Sequence, residues 1–233
     1  MSLIQHIPAK QIVVVIPAYN ESMVIEETLQ QLKPLGYTVV LVDDGSSPSL
    51  KDRLQHFPIH YLRHRVNLGQ GAALQTGFRY AQTLDPQVVI SFDADGQHDP
   101  ADIPSLIDPI LQQEADIVLG SRFLEKNSSG LPASRKKLLG LARWVNGILT
   151  GLWLTDAHNG MRALSPKVLG EINLQENRMA HASEILLEIK KHGWRWKEVG
   201  VRIHYTDYSK QKGQSGWNSF RIVFDLLLHK LFQ

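Results

Sequence analysis

The sequence predicts an α/β protein with a mostly parallel central sheet covered by helices. Short apolar runs alternate with amphipathic segments over residues 12 to 120. Such alternation is typical of parallel strands joined by right-handed helical crossovers. In addition, a chain of 233 residues, of which 43% are hydrophobic, is long enough to bury the core of one large domain.

The elements of the first half follow in order from these patterns. Runs rich in β-branched and other apolar residues are predicted as strands over 12–16, 38–42, 59–63, 87–92 and 116–119, and the first two of these are expected to be buried. The segments between them predict helices over 21–32, from about 71 to 83, and over 101–113. Asn20 is the expected N-cap of the first helix, because its side chain can accept from free backbone amides.

Beyond residue 120 the regular alternation ends. The sequence predicts a loop over 125–132, a polar loop over 207–216 and an extended segment over 196–204. Helices are predicted over 138–154, 182–192 and 217–232. The last of these carries a wide apolar stripe, which suits packing on the core, on a membrane surface or against a membrane subunit.

Composition excludes several classes of protein. The chain has 25 basic and 23 acidic residues, and this balance gives no support for a nucleic-acid partner. It has no cysteine, which excludes a disulfide framework and a thiolate metal site. No stretch offers the roughly 20 uninterrupted apolar residues of a membrane span. The first ten residues also lack the apolar run of a secretory signal, so we expect a cytoplasmic protein.

Acidic residues follow two of the predicted strands directly. Asp43 and Asp44 end the second strand, and Asp93-Ala94-Asp95 ends the fourth. Ligands of open α/β sheets bind beyond the carboxyl ends of the strands, so both turns can face one crevice. Carboxylates suit Mg²⁺ or Mn²⁺, with substrate phosphates completing the coordination. One short acidic turn is commonly just a solvated turn, and the prediction therefore depends on the pair.

Three segments at the ends of strands resemble the family 2 glycosyltransferases, which have the GT-A fold. They are Pro-Ala-Tyr-Asn-Glu at 17–21, Val-Asp-Asp-Gly-Ser at 42–46 and Phe-Asp-Ala-Asp-Gly-Gln-His-Asp-Pro at 92–100. The Gln-His-Asp-Pro portion makes the chain most similar to the dolichyl- or polyprenyl-phosphate sugar synthases. Gly-Ser-Arg at 120–122 and Gly-Met-Arg at 160–162 match in the same order, and the resemblance covers about residues 10 to 220.

The resemblance implies a site for a UDP- or GDP-sugar donor. The residues that would line the base and ribose pocket are Pro17, Tyr19, Glu21, Val42 and Asp44. Asp95 would ligate Mn²⁺ or Mg²⁺ directly, with Asp93 and Gln97 beside it and Ala94 between the two carboxylates. Arg122 would face the diphosphate or the sugar, because cations must offset the charge of the leaving nucleotide.

The resemblance also points to an acceptor side. Arg135 and Lys136 would receive an acceptor phosphate, and Asp156 and Glu184 are candidates for the general base or for positioning the acceptor. A phosphate acceptor is already an anion and needs little help from a base, whereas a sugar hydroxyl needs one. The role of these two carboxylates therefore depends on the acceptor, which stays open at this point.

Residues 67–71 resemble a glycine-rich phosphate loop at the start of a helix. The family often has a lysine where this chain has Gln70, which removes a charge that could contact phosphate. Close packing of the glycines is an equally good interpretation.

Together these features predict a single GT-A domain over 1–233. Residues of about 10–120 would bind the nucleotide-sugar, those of about 121–216 the acceptor, and 217–233 would form a C-terminal amphipathic helix. The predicted activity is metal-dependent, inverting transfer of a hexose, with a polyprenyl phosphate favoured as acceptor and the enzyme peripheral on the inner face of the membrane. The alternatives are a saccharide hydroxyl acceptor and a non-catalytic nucleotide-sugar-binding subunit.

Overall fold

Seven strands and six α-helices make up the part of the chain that the computed structural model describes, residues 7–124, 147, 151–157 and 159–204. The strands are β1 (Ile12–Ala18), β2 (Thr38–Asp43), β3 (Ile59–Arg63), β4 (Val88–Ser91), β5 (Ile117–Ser121), β6 (Arg162–Leu164) and β7 (Trp196–Gly200). The helices are α1 (Ile25–Leu32), α2 (Lys51–Leu54), α3 (Gln70–Gln82), α4 (Ile103–Leu111), α5 (Pro166–Glu171) and α6 (His181–His192).

The strands form one sheet in the order β3-β2-β1-β4-β6-β5-β7. Strands β1 to β4 pair in parallel, and β5 pairs in parallel with β7. Strand β6 is antiparallel to both β4 and β5. The predicted α/β class with a mostly parallel sheet is confirmed. The sequence did not predict β6, because three residues are too few to show a period.

The core lies on both faces of the sheet, which explains the uninterrupted apolar runs. Every residue of β1 is buried. Val14 and Ile16 pack in one core cluster, while Val13 and Val15 pack in the cluster on the opposite face. Helix α3 lies so close to the sheet that a Cβ at Gly77 would overlap the side chain of Val15.

The start of α1 differs from the prediction. Asn20 has a positive φ of 57°, and its side-chain oxygen accepts from the amide of Ser47 at 3.0 Å. Its own amide donates to Ser46 Oγ at 2.9 Å. Asn20 therefore links the ends of β1 and β2, and the prediction that it caps a helix from residue 21 was wrong. The helix begins at Ile25 instead.

The sheet topology brings the turns that carry the acidic residues to one edge of the sheet. The parallel strands β1, β2, β4 and β5 all end at the same edge, so the segments that follow them are neighbours in space. Strand β6 runs the opposite way, so its first residue lies at this edge and pairs with Ser91 and Leu119.

The predicted helix at 217–232, the loops at 207–216 and 125–132, and most of the predicted helix at 138–154 lie outside the described residues. Within the described ranges, no helix has the length and apolar character that crossing a bilayer requires.

Asp116, just before β5, anchors the segment that leads into β7. Its carboxylate accepts from the backbone amide of Arg195 at 2.9 Å and from the guanidinium of the same residue, also at 2.9 Å. These hydrogen bonds from Arg195, opposed by burial and assisted by the charge of Lys167, hold the pKa of Asp116 below its usual value.

Replacing Asp116 with Ala is expected to destabilise the fold by about 1 kcal/mol at neutral pH, because the Arg195 amide loses its acceptor. A carboxylate with a lowered pKa stabilises the fold above the unfolded-state pKa of about 3.9, and this contribution is lost as the pH falls through the folded value. Urea unfolding should therefore show a difference in the free energy of unfolding between wild type and variant. This difference should be largest near pH 7 and should become smaller below about pH 4.

The matched control is Glu114→Ala, which removes the exposed partner of Lys197 nearby. It should change the stability little at any pH, because exposed ion pairs contribute little. A difference for Asp116→Ala that stays constant from neutral to acidic pH would contradict the assignment of the lowered pKa.

Candidate active site

Asp44 is buried at the carboxyl end of β2 and spans the gap to α3. One carboxylate oxygen accepts from the amide of Leu68 at 3.0 Å and lies 2.7 Å from His64 Nδ1. The other accepts from the amide of Gly69 at 2.7 Å. Since α3 begins at Gln70, this carboxylate supplies the negative charge that the start of a helix favours. Asp44 thus fixes the segment that leads into α3.

Asp43, the neighbouring carboxylate, stabilises the turn that follows β2. It accepts from the amide of Ser46 at 2.8 Å, from the amide of Leu50 at 3.2 Å and from the hydroxyl of Tyr61. Burial alone would raise the pKa of Asp43, but the hydrogen bonds from Ser46, Tyr61 and Leu50 hold it below the usual value. Only one of the two adjacent aspartates therefore reaches towards α3.

Asp93 joins the DxD turn to the same helix start. One of its oxygens accepts from Gln70 Nε2 at 2.8 Å, and the other lies 3.2 Å from His98 Nε2. Asp44 and Asp93 are consequently connected through two successive residues, Gly69 and Gln70. The two acidic turns converge on the start of α3.

Several basic groups surround Asp93. Burial alone would raise the pKa of Asp93, but the hydrogen bond and charge of His98, together with the charges of Arg162 and His181, hold it below the usual value of an aspartate. A Cβ at Gly160 would overlap Asp93 Oδ2, so only glycine fits beside this carboxylate.

Asp95 has the opposite electrostatic environment. Burial and the charges of Asp93 and Glu21 raise the pKa of Asp95 against the opposing effects of His98 and the Gln97 amide. Its two oxygens accept from the backbone amide of Gln97 at 3.0 Å and from Gln97 Nε2 at 2.7 Å. Acidic groups therefore accumulate around Asp95, and a cation there would relieve their repulsion.

The donor set of this turn fits a divalent metal ion that is shared with a substrate. Among the described residues, no group of three His, Cys, Asp or Glu side chains is arranged to hold a metal by itself. Mg²⁺ commonly binds through one or two carboxylates, with substrate phosphates and water completing its coordination. Asp95 and Asp93, with the amide group of Gln97, provide oxygen ligands of that kind.

Arg122 and Asp156 form an ion pair after the end of β5. Arg122 donates to Asp156 Oδ2 from its Nε at 2.6 Å and from its backbone amide at 3.2 Å. Glu198 on β7 holds the segment that carries Asp156. It accepts from the amide and hydroxyl of Thr155 and from the amide of Asp156, at 2.8 to 3.0 Å.

The carboxylate of Glu184 on α6 binds the loop that precedes this helix. Its two oxygens accept from the amides of Gln175 at 2.7 Å and Glu176 at 2.9 Å. Burial raises the pKa of Glu184, although these two amides lower it. The side chain stabilises the loop at 175–176 rather than standing free in the structure.

That loop meets the glycines at the start of α3, forming a contact that we call the glycine seam (Gly69, Gly71, Glu176 and Asn177). A Cβ at Gly69 would overlap the carbonyl oxygen of Asn177, and a Cβ at Gly71 would overlap that of Glu176. The amide of Ala72 also donates to the Asn177 carbonyl at 3.1 Å. The structure thus supports close packing as the reason for these glycines. The other interpretation, a phosphate bound by residues 67–71, fits the structure less well, because the amides of Leu68 and Gly69 already donate to Asp44.

The other residues of the predicted nucleotide pocket lie at the ends of β1, β2 and β4. Tyr19 is 44% exposed, as a stacking platform for a base requires, whereas Glu21 is largely buried. Pro17, Val42 and Ala94 are buried, and Val42 packs in the core cluster beneath α3. The side chain of Val42 therefore belongs to the core in this structure.

Several residues at the site were not predicted from the sequence, namely Gln70, His98, Arg162, His181 and Glu198. The contact partners of Gln70 and Glu198 are distant in the chain, and no local pattern marks such a contact. His98 and Arg162 lie in the matched motifs Gln-His-Asp-Pro and Gly-Met-Arg, which were the available signals. Arg135 and Lys136, predicted for the acceptor phosphate, lie outside the described residues.

Comparison with known proteins is consistent with this geometry. The model of the family described as Glycosyl transferase family 2 matches residues 13–172. A protein of Methanococcus voltae named UDP-N-acetylglucosamine–dolichyl-phosphate N-acetylglucosaminyltransferase is 32% identical over 95% of this chain and 97% of its own length. The undecaprenyl-phosphate mannosyltransferase of Micrococcus luteus is 32% identical over 70% of each chain.

A similar fold occurs in mannosyl-3-phosphoglycerate synthase from Rubrobacter xylanophilus. The TM-score is 0.67, and the match covers 98% of this chain and 81% of that chain. With 14% sequence identity, the likeness concerns the fold alone.

Proposed function

Because the chain belongs to glycosyltransferase family 2, we propose that it transfers a hexose from a UDP- or GDP-sugar to a polyprenyl phosphate. That the protein is a glycosyltransferase with a GT-A-like fold is confirmed by the family match and by the fold likeness. The nucleotide, the sugar, the acceptor and the role of each site residue are parts of the proposal.

The donor half of the proposal is supported by the convergence of the two acidic turns. In this scheme Tyr19 stacks on the base, while Glu21 and Asp44 contact the nucleoside from the ends of β1 and β2. Family 2 enzymes generally use a divalent metal ion. Asp95 would hold Mn²⁺ or Mg²⁺, with Asp93 and Gln97 beside it, and the ion supplies positive charge against the diphosphate.

The single observation that favours a phosphate acceptor is the state of the two candidate bases. Asp156 is ion-paired with Arg122 at 2.6 Å, and both oxygens of Glu184 accept backbone amides. Both carboxylates are thus already engaged in contacts within the protein. A phosphate acceptor is already a nucleophilic anion and needs no such base, unlike a sugar hydroxyl. The dolichyl-phosphate specificity in the name of the Methanococcus voltae relative agrees with this reasoning.

The residues of this chain would then act mainly by positioning and by charge. The acceptor oxygen attacks the anomeric carbon from the face opposite the nucleotide, with inversion, and the nucleoside diphosphate leaves. Arg122, held by Asp156, offsets charge on the leaving diphosphate or orients the sugar. Arg135 and Lys136 would receive the acceptor phosphate. Residues 217–233 would contact the membrane at its cytoplasmic face.

A screen of UDP- and GDP-sugars with Mn²⁺ tests the proposal, with nucleotide release measured with and without a polyprenyl phosphate. We expect release by one donor to depend on the lipid, and labelled sugar to appear in a lipid phosphate after extraction. The matched control omits Mn²⁺ and adds a chelator.

Two results would overturn parts of the proposal. If nucleotide release depends on an added saccharide and no lipid becomes labelled, the acceptor is a saccharide hydroxyl and not a polyprenyl phosphate. Nucleotide-sugar binding without turnover for any donor and acceptor would instead indicate a binding subunit.

A further inference from the structure

Arg162 is a buried cation at the active-site edge of the sheet. It is the first residue of β6, pairs with Ser91 on β4 and with Leu119 on β5, and is 2% exposed. Strand β4 leads into the turn that contains Asp93, and strand β5 leads directly into Arg122. Arg162 therefore lies between the metal-binding turn and the Arg122–Asp156 ion pair.

The charges around Arg162 confirm this intermediate position. Burial lowers the pKa of Arg162, while the charges of Asp93 and Asp156 raise it. Both carboxylates are thus close enough to interact with one guanidinium. Each also has another partner, since Asp93 contacts Gln70 and His98 and Asp156 binds Arg122.

Among the residues that the structure describes, none provides a hydrogen-bond partner for Arg162 Nη1, although this atom is buried. Burying a charged donor without a partner is costly, and native proteins rarely do so. Three residues earlier in the chain, Asn159 Nδ2 is a second buried donor that has no partner within the described ranges. Guanidinium groups are the usual choice for binding phosphate, because their planar fork matches two oxygens. A bound anion would supply the missing acceptor.

We propose that Arg162 is a substrate-binding residue that donates a hydrogen bond from Nη1 to a phosphate oxygen between the donor and acceptor sites. This inference rests on the proposed function, because it assumes a donor diphosphate and an acceptor phosphate that meet at this edge. The oxygen belongs either to the diphosphate of the nucleotide or to the phosphate of the lipid, and the experiment distinguishes these sources.

The test uses Arg162→Gln and Arg162→Lys. Binding of UDP and GDP with Mn²⁺ is measured by calorimetry, and KM is measured separately for the donor and for a polyprenyl phosphate. We expect Arg162→Gln to weaken one of these phosphate ligands about 10- to 100-fold, the range for a hydrogen bond to a charged group. Arg162→Lys keeps the charge but loses the fork, so a smaller loss is expected. Weaker nucleotide binding would show that Arg162 contacts the diphosphate. An increase in the KM for the lipid alone would show that Arg162 contacts the acceptor phosphate.

Arg195→Gln is the matched control, since it removes a paired arginine from the edge of the same sheet, away from the active-site residues. Thermal unfolding of all variants separates a stability effect from a binding effect. If both Arg162 variants bind the nucleotide and the lipid as wild type does and only lose stability like Arg195→Gln, Arg162 is structural and the inference is wrong. If wild type itself binds neither UDP nor GDP, the proposed function fails instead.

Discussion

Asp95→Asn is expected to lower turnover by about 10³-fold, which corresponds to roughly 4 kcal/mol of lost transition-state stabilisation. In the structure, Asp95 lies in an acidic environment in which burial, Asp93 and Glu21 raise its pKa. An amide there removes the charge that attracts a divalent cation, while Gln97 can still donate to the remaining oxygen. The measurement is the initial rate of nucleotide release over a Mn²⁺ titration.

Asp99→Asn is the matched control for this prediction. Asp99 lies four residues further along the same loop and accepts from the amide of Ala101 at 2.9 Å, a contact that an asparagine can retain. Its rate should remain near that of wild type. A variant at Asp95 with an unchanged rate and an unchanged Mn²⁺ requirement would exclude Asp95 as the metal ligand.

Gly160→Ala is expected to reduce kcat/KM by about 100-fold. The added methyl would overlap Asp93 Oδ2, so Asp93 must move away from Gln70 and His98. A displacement of about 1 Å at a positioning group is enough to cost about 100-fold in rate. The steady-state rates and the Mn²⁺ dependence of the variant test this expectation.

Gly170→Ala on α5 is the control, since apart from its chain neighbours and the backbone of its own helix nothing lies within 4 Å of the added Cβ. It should leave the rates unchanged and preserve or slightly raise the stability, because alanine favours helix more than glycine does. Wild-type kinetics for Gly160→Ala would show that the position of Asp93 is unimportant for catalysis.

Much of the structure of residues 12 to 120 could be predicted from sequence because the signals there are local. The run from Ile12 to Ile16 is apolar throughout, as a strand buried on both faces requires. The acidic turns follow such runs directly, and the topology of a parallel sheet then places them at one edge. Neither inference needs a contact partner that is distant in the chain.

The remaining contacts could not be predicted because they depend on packing between distant segments. The amides that bind Asp44 belong to residues 68 and 69, and the acceptor for Gln70 is Asp93. Strand β6 has three residues and pairs with β4 and β5, which lie well before it in the chain. At Asn20 a local rule failed, because an asparagine that tolerates positive φ binds the next turn instead of capping a helix.

The glycine seam has a practical consequence for redesign of substrate preference. It joins the start of helix α3 to the loop that Glu184 holds, and no larger side chain fits at either glycine. Libraries that randomise Gly69 or Gly71 would therefore consist largely of misfolded members. Diversity is better introduced at Tyr19, which faces solvent.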